Sequence, residues 1–431
     1  MKTFLLWPRL ASLRREFEPE RVAARLQKIF GELFSTPPDV IIRQTSTVNL
    51  ILLHLPVSGW TPPFFEETEE AWAMAVDYPV DAAAVMESYA IKPREGQGTL
   101  LTLAHELEAN PRALLRELSP PFSLIWSRKG SDELFLQNDG LGQSQLFEYR
   151  RGESWALTNR LSALKALDVR LEPDAAEWAA RMILGWFPMQ TTGFKRIKYV
   201  EPATQLRVDA SGNITKTVKD VLGEWLTHTG LSLDDCLELA RTSLLKHLKA
   251  VAPLWLNPTV GLTGGYDSRA VVASLRKLNL TFRAFVKGST ESNDVRIASQ
   301  LAGIAGITLG RKSEAEMPAV DAQDLKRSIH LSLLWQAGFL DTEKYKSDFP
   351  SGQRLKAGVV RLMGQHGEIG RRYYHPLSEQ ELDILDSGIN AAQLENIFAA
   401  RLMIRTPSFI RKNLSEQARD LFIQAFRQAD A

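Results

Sequence analysis

Val260-Gly261-Leu262-Thr263-Gly264-Gly265-Tyr266-Asp267-Ser268-Arg269 decides how the carboxyl-terminal half of this chain is read. Residues 259–262 form a short apolar run, the pattern of a buried strand, and 268–277 carry the spacing of a helix. Between them stand a hydroxyl residue, two glycines, a spacer, an acid and a second hydroxyl. Such a strand-to-helix junction leaves helix N-terminal N–H groups unpaired, and the macrodipole there favours an anion. Adjacent glycines let the backbone approach phosphate oxygens without a Cβ in the way, and the hydroxyls of Thr263 and Ser268 add donors. Asp267 would be mis-sited against a bare phosphate, which points to a bridging Mg²⁺ ion. The alternative is a plain strand-to-helix turn that uses glycine for tight packing.

Working outward, 282–286 read as a second buried strand and 294–305 as a second helix, so strands and helices alternate as they do in a parallel sheet with right-handed crossovers. Upstream, Ser232 followed by Asp235 reads as a capping box that opens a helix through Leu248, with Leu233, Leu237, Ala240, Leu244 and Leu248 on one apolar face. Cys236 lies inside that helix and reads as a small core residue. The first half is β-rich. Residues 122–128 alternate, 133–137 follow the Lys129-Gly130 turn, and 145–149 and 155–158 come at short spacing, which predicts an antiparallel meander. Residues 48–55 form another strand, 98–110, 111–118 and 174–184 have helical spacing, and 204–208 with 215–218 flank the 209–213 turn as a hairpin. The expected boundary falls in 220–231, giving domains 1–220 and 231–431. The expected fold class is mixed, α+β in an antiparallel amino-terminal domain with helices and α/β in a parallel-sheet carboxyl-terminal domain.

The loop 263–268 resembles the pyrophosphate loop of asparagine synthetase-type ATP pyrophosphatases. Its GGYDSR form is similar to a divergent branch of asparagine synthetase-like proteins associated with polysaccharide or peptide-modification pathways. Two further stretches match in order: Gly288-Ser289-Thr290-Glu291-Ser292-Asn293-Asp294 before an Ala-rich helix, and Leu362-Met363-Gly364-Gln365-His366-Gly367-Glu368-Ile369-Gly370-Arg371 as a second phosphate and metal loop. The resemblance implies a ligase that binds ATP and Mg²⁺, adenylates a carboxylate with loss of pyrophosphate, and forms an amide with ammonia or a substrate amine. Thr263, Gly264, Gly265, Asp267 and Ser268 would hold pyrophosphate and metal. Leu262, Val286 and Gly364 would border the adenosine. Glu368 would be the second metal carboxylate, standing where the family commonly has Asp. Lys287 and Arg371 are candidate phosphate cations, with solvated surface positions as the alternative. Lys412 is assigned the family's adenylation lysine, although the family usually continues well beyond the roughly 60 residues that follow Arg371 here. Gln365 stands where a family carboxylate often helps to activate the amine. His366 could contact the α-phosphate or face solvent. The alternative to a ligase is a non-catalytic member that binds nucleotide or a partner.

The amino-terminal half resembles the family's glutaminase-type, amidohydrolase-like domain, carried by 122–126, 138–147 and 156–164 as successive core strands and by 191–202 as its closing segment. Glutamine-hydrolysing members expose a cysteine at position one as nucleophile. Here Met1 is followed by Lys2 and the single cysteine is Cys236, so no glutaminase activity is expected.

Composition sets the remaining bounds. With 52 Lys and Arg against 51 Asp and Glu, the charge of +1 supplies no drive for non-specific capture of nucleic acid or anionic membrane. One cysteine excludes an intrachain disulfide and suits a reducing, cytoplasmic setting. No apolar run is long enough to span a bilayer. The seven histidines show no metal-ligand spacing. The expected partners are a small-molecule or peptide carboxylate substrate and a peptide or biosynthetic-pathway protein. Trp60, Phe64, Phe65 and Trp72 lie among Glu66, Glu67, Glu69 and Glu70, a poor nucleic-acid surface that reads as packing or as a partner contact.

Overall fold

The computed structural model describes residues 2–9, 17–57, 59–219, 230–255, 258–312, 322–336, 361–364, 393, 395, 397, 407 and 409–429. Contacts divide the chain into two compact units. The first is Met1–Leu146, Thr158–Leu167 and Glu201–Gln365, and the second is Phe147–Leu157, Asp168–Val200 and His366–Ala431. Of the expected boundary segment, 220–229 lie outside the described residues.

The first unit opens with β1 (Lys2–Pro8), the helix Pro19–Gly31, β2 (Asp39–Gln44) and β3 (Val48–His54). These strands pair antiparallel in the order β1-β3-β2, and the helix lays Val22, Leu26 and Phe30 against them. A second antiparallel sheet holds β4 (Phe65–Glu67), β5 (Ala71–Asp77), β6 (Ser123–Arg128) and β7 (Leu134–Asn138). Between β5 and β6 come the helices Ala82–Ser88, Thr99–Ala109 and Pro111–Glu117. β1 packs against β5, and Thr99–Ala109 covers the second sheet, so the layers run helix, sheet, sheet, helix. Strands between two layers are apolar on both faces: Phe4 to Trp7 of β1 and Ala71 to Val76 of β5 are all buried. Each large side chain so buried contributes roughly 1.5–3 kcal/mol.

β8 (Phe147–Arg151) and β9 (Ser154–Thr158) do not extend the sheet of β6 and β7, as a single meander requires. β8 pairs with β10 (Ile197–Tyr199) in the second unit. Back in the first unit, β11 (Thr204–Val208) and β12 (Ile214–Val218) form the expected hairpin, and β11 joins β7. In the second unit, Asp174 caps the helix Ala175–Leu184 by accepting from the N–H groups of Ala176 and Glu177. That helix packs on the helix Lys412–Ala429 through Ala180, Ile183, Ala418 and Phe422.

The remainder of the first unit is the α/β region. Ser232 and Asp235 form the expected capping box at the start of the helix Leu233–Val251. Leu248 and Val251 are buried, but Leu233 and Leu237 are 75% and 59% exposed and Cys236 is exposed, so the expected apolar face is covered only at its far end. Four parallel strands follow: β13 (Thr259–Gly261), β14 (Arg283–Lys287), β15 (Leu309–Lys312) and β16 (Arg361–Leu362). The helices Tyr266–Lys277 and Asn293–Ala305 make the crossovers from β13 to β14 and from β14 to β15, burying Val272, Leu275, Val295 and Ala298 on the sheet. The strand order is β15-β14-β13-β16. Chain order therefore runs one way from β13 to β15 and reverses at the β13–β16 pair, which opens a crevice at the carboxyl ends of those strands. The fold class is thus α+β with α/β, an antiparallel-sheet region and a parallel-sheet region. Among the described residues no helix is long and apolar enough to cross a membrane.

Candidate functional site

The crevice is floored by β13. Leu262 N–H donates to Phe285 O (2.9 Å), which holds the chain on β14 for one residue past the strand, and both Leu262 and Val286 are buried beneath. At Thr263 the backbone leaves the sheet and closes on itself. Thr263 N–H donates to Ser268 Oγ (3.1 Å), Gly265 N–H donates to Thr263 Oγ1 (3.1 Å), and the two hydroxyl oxygens lie 3.1 Å apart. Ser268 Oγ lies 3.1 Å from Gly265 O, to which it can donate, and the Ser268 side chain is buried. Both hydroxyl residues are thus occupied in fixing the loop.

The helix starts at Tyr266, two residues before the expected start at Ser268. Gly265 is its N-cap, extended at φ −75° and ψ 148°, and offers no side chain to the first turn. The helix Asn293–Ala305, by contrast, is capped by Ser292, whose Oγ accepts from Val295 N–H. Asp294, in the first turn of that helix, reaches back across the crevice and accepts from Gly264 N–H (3.0 Å). Asp294 belongs to a stretch whose resemblance was legible, but nothing local in the sequence pairs it with Gly264.

Gly364, just past β16, lies on the first turn of the helix Tyr266–Lys277. A Cβ at that position would stand 2.4 Å from Ser268 N, 2.6 Å from Asp267 C and 2.8 Å from Ser268 Cα. Backbone meets backbone there, and only glycine allows it. The loops after β13 and β16, about 100 residues apart in sequence, therefore share one end of the sheet.

Leu262, Thr263, Gly264, Gly265, Asp267, Ser268, Val286 and Gly364 are accordingly brought together at this end of the sheet. Asp267 is half-buried in the first helical turn, and Lys287 is exposed at the end of β14. Arg269 folds back on its own loop, with Nε 3.3 Å from Gly265 O and the guanidinium 4.3 Å from the centre of the Tyr266 ring. Glu368 and Arg371, with Gln365 and His366, lie outside the described residues. Lys412 opens the last helix of the second unit, 92% exposed and 4.0 Å from Glu416. Among the described residues no group of three His, Cys, Asp or Glu side chains converges as a metal cluster.

No family model and no curated protein matches the chain. Among solved structures it is similar to the glutamine phosphoribosylpyrophosphate amidotransferase of B. subtilis complexed with ADP and GMP. The identity is 10% over 73% of this chain and 81% of that one, with a TM-score of 0.34. It is similar to a structure described as the allosteric regulatory enzyme of purine biosynthesis, at 11% identity over 88% and 94% of the two chains and a TM-score of 0.35. The glutamine-dependent NAD⁺ synthetase of Acinetobacter baumannii in complex with ADP gives 12% identity over 63% and 66%, with a TM-score of 0.19.

Proposed function

We propose that the chain is an asparagine synthetase-like, ATP-dependent ligase: it adenylates a carboxylate, releases pyrophosphate, and transfers the acyl group to ammonia or a substrate amine. The observation that carries the reading is the contact of Gly364 with the backbone of Asp267 and Ser268. It sets a second glycine loop against an uncapped helix N-terminus at a topological switch point, where α/β sheets take their ligands. Charge that builds on a departing pyrophosphate is best met by fixed backbone donors, and the uncapped first turn from Tyr266 would supply them, since the N–H groups of Thr263, Gly264 and Gly265 already donate to Ser268 Oγ, Asp294 and Thr263 Oγ1. Thr263, Asp267 and Ser268 present only oxygen donors, and a single carboxylate beside phosphate oxygens is the way Mg²⁺ is usually held. Asp267 would hold that ion. Hydrolysis of glutamine forms no part of the proposed activity, because the one cysteine, Cys236, lies within the helix Leu233–Val251 and so has no α-amine of its own to act as the base.

Exchange of labelled pyrophosphate into ATP, dependent on Mg²⁺ and on an added carboxylate, tests the reaction. Asp267→Ala should abolish the exchange. Nucleotide binding without exchange under any carboxylate would overturn the ligase reading in favour of a nucleotide-binding protein, and failure to bind ATP at millimolar concentration would overturn both.

A further inference from the structure

The aromatic, acid-rich stretch 60–72 has no part in the nucleotide reading, yet it builds a cavity. Trp60, Phe64 and Phe65 wall a space of about 550 Å³ whose polar end is made by Lys2, His54 and Asp77. The volume is that of a small-molecule site. The register of β1 against β3 sets Lys2 directly opposite His54, so the polar end is fixed by the sheet and not by a loop.

Charge at that end is unbalanced. Burial pushes the Lys2 amine below its ordinary value, and Asp77 only partly offsets the effect. Asp77 is shared: it accepts from Ser144 Oγ (2.7 Å), and its charge also acts on the buried Arg160. Two cations thus draw on one acid. His54 stacks on Phe64 with ring centres 3.7 Å apart, and among the described residues its buried Nδ1 has no hydrogen-bond partner. A cation withdrawn from water with a shared counter-charge is stabilised by an anion carried on a ligand. Lys2 and Arg160 share Asp77, and Asp39 acts on His54 from β2, so the counter-charge missing at the polar end is small, and the walls are apolar. A phosphate dianion would bring more charge than the site can neutralise, whereas a monoanion with an apolar body satisfies both ends.

We propose that this cavity binds a small monocarboxylate with an aromatic or aliphatic body, its carboxylate on the Lys2 ammonium and its body against Trp60 and Phe65. The proposal is independent of the nucleotide site.

The test uses the full chain and isothermal titration with 4-phenylbutyrate, 4-phenylbutanol and 4-phenylbutylamine, which share a body and differ in charge. The acid should bind roughly ten- to a hundredfold more tightly than the alcohol, and the amine more weakly than either. Lys2→Met should erase the preference for the acid while leaving the alcohol unchanged. Asp77→Asn, which frees the cations from their shared acid, should tighten the acid further, so the two variants move in opposite directions. Thermal unfolding establishes that each variant is folded. Should Lys2→Met fail to fold, the Asp77→Asn arm and the wild-type acid-to-alcohol ratio decide. Equal affinity for acid and alcohol in the wild-type chain, or no binding of either at millimolar concentration, would overturn the proposal.

Discussion

Replacing Gly364 by alanine adds one methyl group at the point where the two candidate nucleotide loops touch. Built on the existing backbone, that carbon falls 2.4 Å from Ser268 N, and ordinary contact begins near 3.4 Å, so the loops must part by about 1 Å. All three of its nearest neighbours are backbone atoms of Asp267 and Ser268, and no flexible side chain can yield in their place. Overpacking of this kind costs roughly 1–3 kcal/mol. The strain can be relieved by moving 361–364 away from β13, because β16 is a two-residue strand whose sheet partner is β13. The fold should survive, and the crevice should open. A displacement of about 1 Å between groups that grip a reacting phosphate costs on the order of 100-fold in rate. Gly364→Ala is therefore expected to lower carboxylate-dependent pyrophosphate exchange by about that factor while far-ultraviolet circular dichroism is unchanged. Exchange and ATP affinity equal to those of the wild-type chain would show that the two loops do not act on one ligand.

Asp294→Asn keeps an acceptor for Gly264 N–H and removes a negative charge from the loop, so ATP binding by calorimetry at low salt should tighten about two- to fivefold; weakened binding would assign Asp294 to the ligand side. Because Asp267 and Asp294 both stand at the crevice, ATP with Mg²⁺ should bind at least about tenfold more tightly than ATP with chelator, and equal affinity would refute Asp267 as the metal carboxylate. Gly303, inside the helix Asn293–Ala305, has open space around a built Cβ, so Gly303→Ala should stabilise the chain by up to about 1 kcal/mol in denaturant titration; a loss would mean that the helix packs there. Burial first, and then the charge of Lys2, hold His54 down from 6.5 to about 4. Between those values the unfolded chain takes up a proton that the folded chain refuses, so stability declines as pH falls from 6.5 towards 4 and levels off below. An NMR titration of the His54 ring with a midpoint near 6.5 would contradict that burial.

What could be read along the chain follows from the range of the forces involved. The junction at 262–268 was legible because Gly264-Gly265 interrupts two sharp local patterns, and the helix begins two residues early only because Gly265 is extended enough to serve as its cap. The capping box at Ser232 was legible for the same local reason, whereas the exposure of Cys236 and Leu237 was not: periodicity defines a face but does not say what covers it. β1 and β5 carry no alternation because both faces are buried, so the layer on which the cavity stands left no period-two signal. The pairing of β8 with β10, and not with β7, rests on side-chain fit across long sequence separations, to which local alternation is blind. The acids of 66–70 illustrate the same limit. Glu66 accepts from the N–H groups of Leu100 and Leu101 and caps the helix Thr99–Ala109, and Glu67 pairs with Arg43 and Lys129. They are structural partners of residues that no local pattern connects to them.

The near-neutral composition acquires a definite meaning at the two sites. At the candidate nucleotide crevice the side-chain charge is not attractive to phosphate: Asp267 stands in the first helical turn, Asp294 is bonded to Gly264 N–H, and Arg269 is engaged by Gly265 O and the Tyr266 ring. An anion there would be held by the uncapped helix N-terminus and a bridging cation, both of which act over a few ångströms. Recognition by geometry of this kind tolerates a chain with a charge of +1, and it is why a single methyl group at Gly364 is expected to matter more than the loss of a surface lysine such as Lys287. The cavity beside β1 inverts the arrangement. Its amine is held in a sheet, its acid is shared, and aromatic rings line its walls, so a ligand carboxylate would meet an incompletely compensated cation. On the two proposals, the same overall balance would contain one site that needs a metal to accept an anion and one that needs an anion to complete its own electrostatics.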